Sequence, residues 1–269
     1  MHPSKIWIIT LFPKYFAPLQ SEGVVARAFQ KDWALALVDL RPYGIGDYQH
    51  VDDAPYGGGP GMIMRPDVLA KALQDIVQQG NYQELASPAT STGSWGQPIF
   101  NLKPQKSFGR WTAENAWRPL LVLNLAANGQ KFTSASAKSL AQTLPQADLV
   151  LICGRYEGID QRFIGHYVHG EISVGDFVLS GGEIAALAVL DAAARWLPGV
   201  LHNEESLPHE SFENNLLEHP QYTRPAVFED EAVPAVLLSG NHAQIKAWQA
   251  QEAWKRTQIY RPDLGPQST

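Results

Sequence analysis

The stretch Leu149-Val150-Leu151-Ile152-Cys153-Gly154-Arg155-Tyr156-Glu157-Gly158-Ile159-Asp160 decides how the fold is read. An unbroken apolar run of this length suits a strand covered on both faces. It ends at a glycine, and charged and aromatic side chains follow at once. In parallel α/β sheets ligands sit beyond the carboxyl ends of strands. Gly154 lets a ligand lie against the backbone, and Glu157 and Asp160 offer carboxylates. The same residues also read as a plain strand-to-loop turn, with Arg155 and Glu157 paired to each other or to water.

Working outward, similar apolar runs at 6–11, 34–40 and 120–125 are candidate strands. Helical patterns occupy 66–79, 134–143 and 183–196. The last places Ile184, Leu187, Ala188 and Asp191 at helical spacing, just after Gly181 and Gly182. Strands alternating with helices predict an α/β fold with a mainly parallel sheet over residues 1–200. Residues 80–118 interrupt this pattern. They are rich in Ser, Thr, Gly and Pro and carry Trp95, Trp111 and Trp117. So long a stretch without a period reads as an inserted surface excursion, or as a platform for stacking RNA bases. Residues 201–234, with four prolines, form an interdomain linker. Residues 235–269 then form a small helical domain, with Ile245, Trp248 and Ala253 near helical spacing and Asn241 as N-cap.

Composition narrows the class. The chain has 269 residues, 45% hydrophobic and 18% charged, which is globular rather than disordered. No apolar stretch approaches the ~20 residues of a membrane helix, and no signal peptide is recognisable at the N-terminus. The single cysteine, Cys153, cannot form an internal disulfide, in keeping with a reducing, cytoplasmic location. The net charge of −6 argues against a nucleic-acid partner until its distribution is considered. Residues 203–231 hold eight carboxylates and one cation, Arg224, which exceeds the whole surplus. Residues 241–269 carry Lys246, Lys255, Arg256 and Arg261 against Glu252 and Asp263. A modestly basic tail thus follows an acidic connector.

Three further segments have chemical content. Asp52-Asp53-Ala54-Pro55-Tyr56-Gly57-Gly58-Gly59-Pro60-Gly61-Met62 permits backbone shapes closed to other residues. It lacks the lysine of a phosphate loop and the spacing of a dinucleotide fingerprint, and it also reads as a flexible turn. Glu171 to Glu183 brackets an apolar stretch with glycines and then opens a helix. Such a loop can wrap an adenine, or simply lead into a packing helix. Arg195 and Glu210 offer an anion stabiliser and a base. A helix-terminal arginine is favoured by the helix dipole in any case, and an acidic loop residue is commonly just solvated. The eight histidines are dispersed without zinc spacing, and no Gly-x-Ser-x-Gly elbow is present.

Taken in order, these segments resemble the bacterial tRNA (guanine-N1)-methyltransferase family, TrmD-like members of the SPOUT superfamily. The matching pieces are Ile9 to Pro13, the DDxPYGGGxGM segment at Asp52, CGRYEGID at Cys153 and SVGDFVLSGGE at Ser173. They continue with PGVL at Pro198, ESF at Glu210, PQYTRP at Pro220, and SGNH at Ser239 with the residues that follow it. The resemblance implies a parallel α/β sheet with a deep trefoil knot (a rarity among folds) and a small helical C-terminal domain. It implies a homodimer whose sites are shared between subunits, S-adenosyl-L-methionine as methyl donor, tRNA as substrate, and no membrane. The methylated atom would be N1 of the guanine at position 37, beside the anticodon. Carried over by position, the donor pocket would comprise Leu125, Ala126, Ala127, Gly154, Tyr156, Glu157, Val174, Gly175, Phe177, Leu179, Gly181 and Gly182. Residues 246, 255, 256 and 261 would meet tRNA phosphates.

This chain departs from the family pattern twice. Leu125-Ala126-Ala127-Asn128-Gly129 stands where many members have Leu-Ser-Pro-Gln-Gly. Glu210 stands where many have a catalytic aspartate. Guanine N1 carries a proton at neutral pH, so a carboxylate base must remove it as N1 attacks the methyl group. Glu210 is assigned that role, and Arg195 the stabilisation of charge on O6. The family's dependence on Mg2+ implies an ion near the carboxylates or the substrate, although the sequence has no preformed site. The competing readings are a knotted enzyme methylating a ribose or another base, and a non-catalytic RNA-binding protein of the same fold.

Overall fold

The structure, a computed structural model, describes residues 3–85, 104–113, 116–203, 207 and 210–264. The chain divides into two compact units, Met1–Leu201 and His202–Thr269.

In the first unit the elements run β1 (Ser4–Thr10), α1 (Val25–Lys31), β2 (Trp33–Asp39), β3 (Asp52–Asp53), β4 (Ile63–Met64), α2 (Pro66–Gln79), β5 (Gln83–Glu84) and β6 (Phe108–Trp111). They continue with β7 (Trp117–Lys131), α3 (Ser134–Thr143), β8 (Asp148–Cys153), α4 (Gln161–Tyr167), β9 (Gly170–Ser173) and α5 (Glu183–Ala194). The main sheet has the order β2-β1-β8-β7-β6-β5, and β9 also pairs with β7. The pairs β1–β2, β1–β8, β7–β8 and β7–β9 are parallel, whereas β5–β6 and β6–β7 are antiparallel.

Alternation along each strand sorts the apolar side chains onto two faces. Ile6, Ile8, Leu121, Leu123, Leu149 and Leu151 face one way and pack with α3 and α5. Trp7, Ile9, Leu120, Val122, Val150 and Ile152 face the other and pack with α2 and the Phe163 side of α4. Helices on both faces of a largely parallel sheet give the α/β class that the sequence predicts. Pro66 opens α2 at its first turn, where the missing N–H costs nothing. Thr133 caps α3 by accepting from the Ser136 N–H.

Two regions differ from the sequence expectation. Residues 83–84 and 108–111, read as ends of an insertion, are the strands β5 and β6 at the sheet edge. Trp95 lies outside the described residues, so its stacking role is untouched by the structure. Trp111 is exposed and meets Trp117 edge-on, with ring centroids 5.5 Å apart. β7 runs well past residue 125. Its register against β9 breaks between Leu125 and Gln130, because Ile172 pairs with both. Residues 126–129 therefore bulge out of the sheet. Gly129 makes this possible: a Cβ there would stand 2.6 Å from the Glu171 carbonyl carbon and the Ile172 nitrogen.

At the opposite, amino-terminal end of β8, Asp148 is fully buried. Its carboxylate accepts from the Lys5 N–H at 2.8 Å, the Tyr82 hydroxyl at 2.7 Å and Arg110 Nε at 2.7 Å. Arg118 Nε lies 3.5 Å away. This network ties β6 and β7 to β1 and β8.

The second unit holds a short hairpin, β10 (Val227–Phe228) and β11 (Glu231–Ala232), then α6 (Ala235–Leu238) and α7 (His242–Tyr260). Asn241 caps α7, its side chain accepting from the Gln244 N–H at 3.3 Å. Among the described residues no helix is long and apolar enough to cross a membrane.

Candidate active site

The carboxyl ends of β7, β8 and β9 converge on one cleft of about 330 Å³. Three separate segments line it, the last running from β9 to α5. The β7 bulge gives Leu125, Ala126, Ala127 and Asn128. The turn after β8 gives Gly154, Tyr156 and Glu157. The segment after β9 gives Val174, Phe177 and Leu179, and the approach to α5 gives Gly181 and Gly182. Eleven of the twelve residues assigned to the donor pocket thus share one cleft. Gly175 does not line it; its Cα lies against the Phe177 ring, where a Cβ would stand 2.3 Å from a ring carbon.

Local geometry explains the residue types. Tyr156 holds a left-handed conformation, φ 59°, a strained state for a side chain of this size that clusters at functional sites. Gly182 sits against Cys153, and a Cβ there would lie 2.7 Å from the Cys153 Cα. Burial pushes the Cys153 thiol well above the usual cysteine range, with the nearby Glu183 carboxylate adding to the effect. The thiol therefore stays protonated and fully enclosed.

The glycine-rich segment forms the loop of the β3–β4 hairpin. It docks on the turn after β8: the Glu157 N–H donates to the Met62 carbonyl and the Met64 N–H to the Gly158 carbonyl, each at 2.9 Å. Gly61, at φ 88°, leaves the room that the Glu157 side chain fills.

Arg155 does not pair with Glu157. It reaches Glu183, with Nη2 at 2.8 Å from Oε2 and Nε at 3.4 Å from Oε1. The closer approach is an ion pair outside hydrogen-bond alignment, since Oε2 has no aligned partner. Arg155 Nη1 donates to the Ser180 carbonyl at 3.1 Å, and its guanidinium lies 4.2 Å from the centroid of Phe12. Glu183 in turn accepts from the Thr10 hydroxyl at 2.8 Å.

Asn124 was not singled out in the sequence. Its Nδ2 donates to Glu171 Oε1 at 2.9 Å. A carboxylate only accepts, so this bond fixes the amide orientation. The Asn124 Oδ1 is buried without a partner and lies 3.7 Å from where a Cβ on Gly154 would stand. A polar residue inside an apolar run was the available signal.

Arg195, at the C-cap of α5, is half-buried in the first unit, and Glu210 is half-buried in the second. Lys246, Lys255 and Arg256 are exposed on α7. Helical geometry sets Lys246 and Arg256 about 80° apart, and Lys255 about 180° from Lys246. Lys255 pairs with Glu252 at 2.7 Å, and Arg256 lies over Tyr260. Arg261 pairs with Asp263 at 2.7 Å. Among the described residues no group of three or more His, Cys, Asp or Glu could hold a metal ion.

Comparison with known proteins bears on the whole chain. The family model described as tRNA (Guanine-1)-methyltransferase TrmD matches residues 4–100 and 93–267. A tRNA (guanine-N(1)-)-methyltransferase of Roseobacter denitrificans is 41% identical over 265 residues, covering 97% of this chain and 94% of that protein. Its counterpart in Jannaschia sp. is 42% identical over 270 residues, covering 98% and 94%. That of Anoxybacillus flavithermus is 38% identical over 261 residues, covering 97% and 91%. With its length accounted for from strand β1 to the last helix, this chain belongs to the tRNA (guanine-1)-methyltransferase TrmD family.

Proposed function

We propose that this protein is a tRNA (guanine-N1)-methyltransferase that uses S-adenosyl-L-methionine to methylate the guanine at position 37, next to the anticodon. The observation that carries the reading is the convergence of three segments, separate in sequence, on one cleft at the carboxyl ends of β7, β8 and β9.

The residues present fit such a donor. Phe177 and Val178 are 56% and 85% exposed, apolar surface that suits a purine. The bare Cα of Gly154 admits close approach. The orphaned Asn124 Oδ1 beneath it is an acceptor for an N–H group. The two alanines at 126 and 127 leave the bulge shape in place, because that shape rests on Gly129 and the β9 backbone.

When bound, the sulfonium supplies an electrophilic methyl group. The protein's task is then to orient the guanine and manage its proton. Glu210 takes the proton from N1. Arg195 donates to O6 as negative charge builds there. The cleft walls hold the methyl group and N1 in line. The second unit grips tRNA through Lys246, Lys255, Arg256 and Arg261. The working form is a homodimer in the cytoplasm, each site built from both subunits. The chain near the carboxyl end of the first domain forms the trefoil knot of the SPOUT class. A family-wide need for Mg2+ would then be met by an ion arriving with the substrate.

The test is transfer of label from S-adenosyl-L-methionine to unmodified tRNA, with the methylated atom mapped by mass spectrometry. Glu210→Gln is expected to abolish turnover while S-adenosylhomocysteine still binds. Near-normal turnover of that variant removes Glu210 from the mechanism. Label on a ribose oxygen or another base replaces the guanine-N1 reading.

A further inference from the structure

Arg155 and Glu183 have no task in the mechanism above, yet their arrangement is too constrained to be incidental surface pairing. Glu183 stands in the first turn of α5 and is 1% exposed. An acidic residue there is favoured by the helix dipole, but a buried carboxylate needs closer compensation. The Thr10 hydroxyl and the Arg155 guanidinium supply it. Arg155 has further contacts, donating to the Ser180 carbonyl and lying on the Phe12 ring.

The guanidinium is also fitted to the cleft wall. A Cβ on Gly181 would stand 2.2 Å from Arg155 Nε, so the backbone at 181 lies directly on the guanidinium. Arg155 itself lines the cleft, between Gly154 and Tyr156. One side chain thereby joins the turn at 154–156 to the segment at 180–182. These are two of the three cleft walls; the Gly182 N–H also donates to the Gly154 carbonyl at 2.9 Å, and Arg155 adds the side-chain link among those described. Arginine suits the position because its planar fork can meet a carboxylate and a carbonyl at once, which a lysine cannot.

We propose that Arg155, locked by the buried carboxylate of Glu183, is a positioning residue that presets the 180–182 wall against the 154–156 turn for the methyl donor. This rests on the methyltransferase reading. The pair does not touch the reacting atoms; it removes the need to order the wall when the donor binds.

The test uses the full-length protein, S-adenosylhomocysteine calorimetry and thermal melting. Arg155→Met leaves Glu183 buried and unpaired, so both Tm and affinity fall. Arg155→Met combined with Glu183→Gln removes the stranded charge and keeps an acceptor for Thr10. The double variant is expected to regain most of the lost Tm, while its Kd stays about tenfold or more above that of the parent. A purely structural pair would regain both, and a Kd within about twofold of the parent overturns the proposal. Should the double variant fail to fold, Arg155→Lys carries the test, since it keeps the charge and loses the fork. Its donor KM is expected to rise about fivefold or more with kcat at saturation retained, and an unchanged KM overturns the proposal. Parent protein that binds no S-adenosylhomocysteine defeats the donor reading and the clamp with it. Normal parent binding with unimpaired variants defeats the clamp alone.

Discussion

Replacing Asp148 by Asn removes the charge at the centre of the most enclosed polar network in the first unit. The carboxylate is fully buried and accepts from three donors, with Arg118 beside it. Asparagine keeps the shape but turns an NH2 group toward donors. Arg110 is 13% exposed and re-aims toward water only in part. Arg118 retains its bonds to Ser4 and to the carbonyls of Leu144, Pro145 and Ala147. The damage therefore falls mainly on Arg110, Tyr82 and the Lys5 N–H. Breaking a buried pair by removing one partner costs about 3–5 kcal/mol. In a unit of this size that lowers Tm by roughly 6–20 °C. Urea unfolding followed by tryptophan fluorescence measures it, with an unchanged m-value. Asp148 and Cys153 lie at opposite ends of β8, roughly 17 Å apart at the rise of a strand. Donor affinity in the folded variant should thus equal that of the parent. A stability loss below about 1 kcal/mol would refute the view that this network carries its weight in the sheet. A large loss of donor affinity would refute its separation from the cleft.

Three other outcomes are expected. Burial depresses the His169 pKa to about 4 from the ordinary imidazole value of 6.5. The unfolded chain then binds a proton before the native state does. Stability is full above about pH 6.5, declines as pH falls toward about 4, and stays level below, with an upper limit of about 3 kcal/mol. Urea midpoints across that range check this, and His169→Gln should flatten the profile. Gly129→Ala should cost about 1–3 kcal/mol and weaken S-adenosylhomocysteine binding, because the new methyl group forces β7 from β9; melting curves and calorimetry read both. Lys246→Glu with Arg256→Glu should lower tRNA affinity and flatten its salt dependence by about two phosphate contacts. Lys255→Glu should also lower affinity, by less than the pair because Lys255 is already paired with Glu252, as filter binding at several salt concentrations will tell.

The sheet core was legible because its strands are unbroken apolar runs. Helices α2 and α3 were legible to the residue because Pro66 and Thr133 mark their starts. β7 was read too short because residues 126–129 interrupt the apolar signal, although the backbone continues to Lys131. α4 and β9 escaped notice because elements of seven and four residues show little periodicity. At the site, glycines and the residues beside them were visible from their clustering. The partners that hold them were not. Glu183 is far from Arg155 in sequence, and Thr10 lies in another strand, so only folding brings the three together. Asn124 passed without notice inside the strand read at 120–125. Its meaning depends on Glu171 and Gly154, both distant along the chain.

Cys153 gives the protein an internal clock. Its sulfur is the molecule's one thiol, buried at a strand end whose backbone lies against Gly182. Reagents that alkylate thiols can react only while the core around that strand end opens. The rate of labelling in the native protein therefore counts these openings, and a ligand that braces the strand end will slow the count in proportion to its occupancy.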